Sequence, residues 1–418
     1  IEISTESKIV SGSLNFANQH IPTRTESVSF SQVNSKYVVK DLKALKEEPF
    51  VDNIQNYRVS IFHELEKTQF YQEPVKDYSQ TWKGVAKTIY EDKDFGAELN
   101  ESQYIVKDLV NIIKNEASKT EKMEVIFKFV QNKMNWNGKK GYYTDKGVKQ
   151  AYIDGTGNTA EINFILMAML NRADIKAEPV LICTTDNGIP VYPSRTVFNY
   201  LLAAVEIDGK QILLDATNKN TTQNILPLNT LNWTGRLIKS DGTSQEIEMA
   251  PKILSKNRVD MKAVIDANGK ISGRLRRQIT DYEAFVFRGS KAGMNKENYL
   301  EQMESYLNGI QISNYSVDNG SDFSKPIVEN FNFESDNHCE IIGSKMYINP
   351  LLFFTQHKNP FVQETRDFPI YFGYPKQEKY NVSIEIPDGY AVESIPKILK
   401  IATGENVGLF NFNITAEE

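Results

Sequence analysis

Thiols and imidazoles are scarce in this chain. Cys183 and Cys339 are its two cysteines, and His20, His63, His338 and His357 its four histidines. A cysteine nucleophile works as a thiolate and needs a base within hydrogen-bond reach. Cys183 closes the apolar run Val180-Leu181-Ile182 and reads as a small buried hydrophobe in preference to a displaced nucleophile. Cys339 follows His338 in a distant segment, and a bridge to Cys183 would have to join separate parts of the chain. Neither cysteine sits at a metal-ligand spacing, so no metal and no cofactor is expected.

The stretch best built to present a reactive group is Gly155-Thr156-Gly157-Asn158-Thr159-Ala160-Glu161. Two glycines give the backbone freedom for a tight turn. Asn158 is placed to cap a helix, and Glu161, three residues on, to close a capping box. The apolar run Ile162 to Leu170 then predicts a helix buried on all sides. The positive end of a helix dipole stabilises an anion at such a turn. After it, Ala177–Ile182 reads as a strand, and Val197–Glu206 and Gln211–Ala216 flank Ile207-Asp208-Gly209-Lys210 as a β-hairpin.

This order resembles the transglutaminase-like family, relatives of papain-type cysteine proteases. That family has a glycine, a variable residue and then a cysteine opening a helix, followed by a histidine on one strand and an aspartate on the next. Here Gly157-Asn158-Thr159 stands where the cysteine would be, Phe198-Asn199-Tyr200-Leu201 where the histidine would be, and Leu213-Leu214-Asp215-Ala216-Thr217 where the aspartate would be. Of the three, only the acid is retained. The resemblance implies degenerate catalytic positions at Thr159, Tyr200 and Asp215. It also implies a cleft lined by Trp136 and Asn158.

The substitutions have a chemical meaning. A threonine hydroxyl is a far weaker nucleophile than a thiolate. Tyr200 is a poor base at neutral pH, because a phenol titrates near about 10. Threonine nucleophiles elsewhere use a free N-terminal amine as base, and Thr159 is internal. Thr159 therefore reads as a first-turn helix residue. Cysteine at 159 with histidine at 200 would restore the family's three residues, with Asp215 available to orient the ring.

Composition sets the outer bounds. The 418 residues should make about two to four domains. A net charge of −6 gives no electrostatic case for nucleic acid. The longest apolar run is far short of a membrane span, so no transmembrane segment is expected. The chain opens at Ile1 and not at methionine, which is compatible with a processed or trimmed start.

Along the chain, Ile1–Val10, Thr23–Phe30 and Tyr57–Glu64 read as strands of an N-terminal β domain over 1–75. Residues 76–245 form an α+β core: a helix beginning at Gln80-Thr81-Trp82, another over Glu101–Glu116, and one over Glu121–Met134 capped by Thr120. Lys139–Val148 reads as a surface loop. Residues 246–418 are mainly β, with a hairpin around Asp266-Ala267-Asn268-Gly269 and one amphipathic helix near Asn295–Asn308.

The expected fold class is thus α+β, a papain/transglutaminase-like core flanked by N-terminal and C-terminal antiparallel β domains. The expected function is non-enzymatic. A peptide, protein or glycan would bind in the cleft, or the core would scaffold an assembly at the periplasmic or extracellular face of a Gram-negative envelope. The alternative is an active cysteine-protease-like or transglutaminase-like hydrolase, against which Thr159 and Tyr200 both speak.

Overall fold

The computed structural model describes residues 2–417 apart from 19, 20, 62, 64, 66, 70–72, 78–80, 292, 357 and 406. It divides into two units, 1–48 and 49–418. The first is a long hairpin. β1 (Glu2–Asn18) and β2 (Ile21–Val38) run antiparallel from Glu2 opposite Val38 to Asn18 opposite Ile21. Both N-terminal strands expected from sequence lie in it and are longer than their β-branched cores indicated.

The third expected strand, Tyr57–Glu64, does not form over its described residues; Phe62 and Glu64 lie outside them. Residues 54–57 instead make a single tight turn, capped by the Asn53 side chain accepting from the Gln55 amide at 2.9 Å. The alternating pattern there serves loop packing: Tyr57 meets Phe368 at 4.7 Å between ring centres, and the Tyr371 amide donates to the Phe50 carbonyl at 2.7 Å.

The second unit begins with helices. They are α1 (Trp82–Tyr90), α2 (Val106–Ile113), α3 (Lys119–Lys133), α4 (Val148–Asp154) and α5 (Thr159–Arg172). Thr81 caps α1, while Gln80 lies outside the described residues. The cap of α3 is Ser118, not Thr120. The Ser118 side chain accepts from the Glu121 amide at 3.1 Å and the Glu121 carboxylate accepts from the Ser118 amide at 2.9 Å, a complete capping box that starts the helix two residues earlier.

Helix α5 is buried along its length, as its all-round apolar run requires. It packs on α3 and α4 and on a five-stranded antiparallel sheet. The strands are β3 (Ala177–Ile182), β4 (Tyr200–Ile207), β5 (Lys210–Leu214), β6 (Thr234–Ile238) and β7 (Ser244–Glu248), in the order β7-β6-β3-β4-β5. The β4–β5 turn has Asp208 at φ 52° and Gly209 at φ 72°, the two left-handed positions that an Asp-Gly hairpin supplies.

A second five-stranded sheet follows. β8 (Ser255–Ile265) and β9 (Ile271–Ile279) form the expected hairpin, then come α6 (Asp281–Lys291) and α7 (Lys296–Tyr306), then β10 (Gln311–Asp318) and β11 (Ile327–Ser335). The sequence pattern marks only α7. The aromatic residues Tyr282, Phe285 and Phe287 that bury α6 mask its helical period. Hairpin β12 (Cys339–Ile342) with β13 (Lys345–Ile348) precedes β14 (Lys376–Glu385), and β15 (Leu399–Thr403) pairs with β16 (Gly408–Phe412). The sheet order is β10-β11-β9-β8-β14. Its last pair, β8 with β14, is parallel, so this sheet departs from a purely antiparallel one at that edge. The fold class is α+β with extensive β structure beside the core. No helix among the described residues is long and apolar enough to cross a membrane.

Candidate functional site

The turn before α5 is held by close backbone approach. Gly155, at φ 66°, ends α4 in the left-handed conformation. A Cβ on Gly157 would meet Glu161 Oε2 at 2.9 Å, so glycine is what lets the Glu161 side chain fold back. The capping box is complete: Asn158 Oδ1 accepts from the Glu161 amide at 2.9 Å, and Glu161 Oε2 accepts from the Asn158 amide at 2.8 Å. Glu161 Oε1 also accepts from the amides of Asp145 and Lys146, at 3.0 and 2.7 Å. This carboxylate is fully buried and occupies the place a helix N-terminus would offer an anion.

Thr159 is 0% exposed. Its amide donates to the Lys139 carbonyl at 3.3 Å and its hydroxyl to the same oxygen at 3.2 Å. Trp136 Nε1 donates to that carbonyl as well, at 2.9 Å. Trp136 and Thr159 therefore meet at Lys139, where the loop after Trp136 is anchored. Asn158, placed at a cleft wall by the resemblance, is 2% exposed, and its Nδ2 donates to the Tyr143 carbonyl at 2.8 Å.

Tyr200 and Asp215 do come together. The Tyr200 hydroxyl donates to Asp215 Oδ2 at 2.7 Å and lies 2.8 Å from Thr217 Oγ1. Asp215 follows directly on β5 and is 0% exposed. Its Oδ1 accepts from the Thr217 amide at 2.9 Å and from Asn163 Nδ2 at 3.1 Å. Burial pushes the Asp215 carboxyl above its ordinary value, against the hydrogen bonds from Thr217, Tyr200 and Asn163 that hold it down. Burial, then the Asp215 charge, pushes the Tyr200 phenol well up, so it stays a neutral donor.

Thr159 is not part of this group. Tyr200 packs with Val180, Ile182 and Leu202, whereas Leu201, Ala203 and Val205 pack with α5. Side chains on a strand alternate between faces, so the Tyr200 ring lies across the sheet from the helix that carries Thr159. Among the described residues no hydrogen bond joins Thr159 to Tyr200 or Asp215.

Asn163 makes the connection between helix and sheet. One turn beyond Thr159, its Nδ2 donates to the Leu201 carbonyl at 2.8 Å and to Asp215, and its Oδ1 accepts from the Ala216 amide at 2.9 Å. Its signal in the sequence was a carboxamide inside a helix that is otherwise apolar on every side, because a buried polar side chain must have partners.

Burial disfavours the thiolate at both cysteines. Cys183 is 1% exposed, its Sγ donates to the Gly188 carbonyl at 3.0 Å, and burial pushes its thiol up. Both cysteines are free. His338 Nδ1 lies 2.6 Å from Ser335 Oγ, remote in sequence from α5 and β4. His20 and His357 lie outside the described residues. Among the described residues no cluster of three His, Cys, Asp or Glu side chains could hold a metal.

Residues 344–418 match a family described as a domain of unknown function with a solved structure (DUF3858). No curated protein matches the chain. One similar solved structure is titled a "putative protease" from Parabacteroides distasonis. It is 12% identical at a TM-score of 0.36, over 79% of this chain and 63% of that one. The chain thus spans less than two thirds of that relative's length. Another is titled a "putative cysteine protease" from Cytophaga hutchinsonii, 13% identical at a TM-score of 0.23, over 59% of this chain and 75% of that one.

Proposed function

We propose that the chain is a catalytically silent relative of transglutaminase-like enzymes whose core, residues 76–245, acts as a scaffold or binding module for a peptide or glycan at the periplasmic or extracellular face of a Gram-negative envelope. The observation that carries the silent half of this reading is the state of the Thr159 hydroxyl. It is fully buried and donated to the Lys139 carbonyl, and among the described residues no thiol or imidazole is bonded to it. A hydroxyl in that state has no base to activate it and no path to a substrate carbonyl. Tyr200, Asp215 and Asn163 satisfy one another and tie helix to sheet, which is a structural task.

The test is turnover. Purified protein is assayed for casein cleavage and for incorporation of a fluorescent amine into a glutamine-containing peptide, with and without iodoacetamide. The expected result is no turnover in either assay and no effect of alkylating Cys183 or Cys339. Turnover that alkylation abolishes would overturn the reading and point to Cys183.

A further inference from the structure

The second sheet has one face sealed and one open. Val259, Met261, Ala263, Leu275, Phe331 and Phe333 point to the buried side. The alternate residues of the same strands form a polar face, where Lys262, Arg274, Arg276, Asn314, Asn330 and Asn332 line a concavity of about 2320 Å³. Its other wall is the β15–β16 hairpin, at Ala402, Leu409 and Phe410.

Strand register places these groups in two rows. Arg274 stands opposite Lys262 on one side and Asn332 on the other; Arg276 stands opposite Asp260 and Asn330. Arg274 and Arg276, two apart on one strand, are about 7 Å from each other, and Lys262 is about 5 Å from Arg274 across the ladder. The acids here are engaged. Asp260 is paired with Arg258 at 3.0 Å and accepts from Asn381 Nδ2 at 2.6 Å. Glu378 pairs with Lys376 at 2.8 Å, and Asp318 accepts from Asn330 Nδ2 at 3.4 Å. Glu417 lies on the hairpin side, and Lys379 adds a further cation. Among the described residues Lys262 and Arg274 have no ion-pair partner, whereas Arg276 stands across from Asp260 and helps to hold that carboxyl below its usual range. Lys262, Arg274, Arg276, Lys376 and Lys379 outnumber Asp260, Glu378 and Glu417 along the concavity, which makes this a local basic face in a protein of net charge −6.

We propose that this face binds a carboxylate-bearing oligosaccharide. Arginine forks match carboxylates two bonds at a time. The asparagine carboxamides both donate and accept, which suits sugar hydroxyls that do the same, whereas an acidic side chain or a phosphate only accepts. Phe354, Tyr380, Phe410 and Phe412 also line the concavity, and such rings stack on sugar faces as well as on bases, so the oligodeoxynucleotide arm of the test decides between the two. A space this size exceeds the roughly 300–1,000 Å³ of a small-molecule pocket and fits an oligomer. The inference is independent of the fate of Thr159.

The experiment measures binding of fluorescently labelled oligogalacturonate and of an alginate oligomer by anisotropy. Maltohexaose, poly-L-glutamate and a single-stranded oligodeoxynucleotide serve as competitors. At least one uronate oligomer should bind, more weakly as salt rises, and none of the competitors should displace it at matched concentration. Arg274→Ala with Arg276→Ala should weaken binding by about a hundredfold, about tenfold for each charge-assisted contact. The paired change to lysine should recover part of it, and the exposed control Lys149→Ala with Lys210→Ala should change nothing. Failure of both uronates to bind, displacement by poly-L-glutamate or the oligonucleotide, or unchanged affinity in the double alanine variant would overturn the proposal.

Discussion

Asn163 Nδ2 lies 3.1 Å from Asp215 Oδ1, and this contact joins the central helix to the end of β5. Around it, the Leu201 carbonyl, the Ala216 amide, the Thr217 amide and the Tyr200 hydroxyl all find partners in the same two side chains. A buried network that is fully satisfied fixes one arrangement of helix on sheet; with one member removed, the others are left unpaired in an apolar setting.

Asn163→Ala should therefore be costly. It strips partners from the Leu201 carbonyl, the Ala216 amide and Asp215 at once, and a destabilisation of about 2–4 kcal/mol is expected. Asn163→Leu restores volume but not partners and should fare no better. Thr159→Ala should cost only about 1 kcal/mol, because the Lys139 carbonyl keeps Trp136 Nε1 and the Thr159 amide. Urea midpoints of the three variants test this ordering, and an Asn163→Leu protein as stable as the parent would refute it.

The Asp215 carboxyl gives a pH signature. Its folded value is raised by burial above the ordinary value of about 3.9. The folded state then holds a proton that the unfolded chain has released, so stability falls as the pH climbs through that interval. The contribution is complete below the unfolded value and lost once the pH passes the folded one. Asp215→Asn removes the titration. It keeps Oδ1 for the Thr217 amide and Asn163, and its amide can donate to the Tyr200 oxygen. Comparing urea midpoints across pH 4 to 7, the parent should lose stability relative to Asp215→Asn as pH rises. A parent that instead gains on the variant over that range would show the shift to have the opposite sign.

The α5 turn, its capping box and the buried helix were legible because they depend on local chemistry: glycine freedom, a carboxamide cap, a carboxylate three residues on. The β4–β5 hairpin was legible for the same reason, through Asp208-Gly209. The face to which Tyr200 points was not, since a one-residue difference in strand phase moves a side chain across the sheet, and an apolar run such as Leu201 to Val205 carries no alternation to set that phase. The cap of α3 was misplaced by two residues because Ser118 and Thr120 are both competent caps and only the position of Glu121 separates them. The fate of Tyr57–Glu64 turned on Phe368 and Tyr371, more than three hundred residues away, which no local pattern reports.

The last prediction concerns restoration of the missing chemistry. A thiol at a helix N-terminus has its pKa lowered by the dipole and raised by burial. At position 159 burial should win, because the side chain is wholly enclosed and the anion position is already filled by Glu161. Thr159→Cys should thus label with iodoacetamide far more slowly than a free thiol. Tyr200→His would place an imidazole beside Asp215 and Thr217, on the side of the sheet away from α5. A base there cannot take a proton from a thiol on the other side, since transfer needs hydrogen-bond reach or one bridging water. Ester hydrolysis by the parent, both single variants and the double Thr159→Cys/Tyr200→His should be alike and equal to buffer. Faster hydrolysis by the double variant than by either single one would mean that positions 159 and 200 do meet, and that the Tyr200 ring shares the α5 side of the sheet.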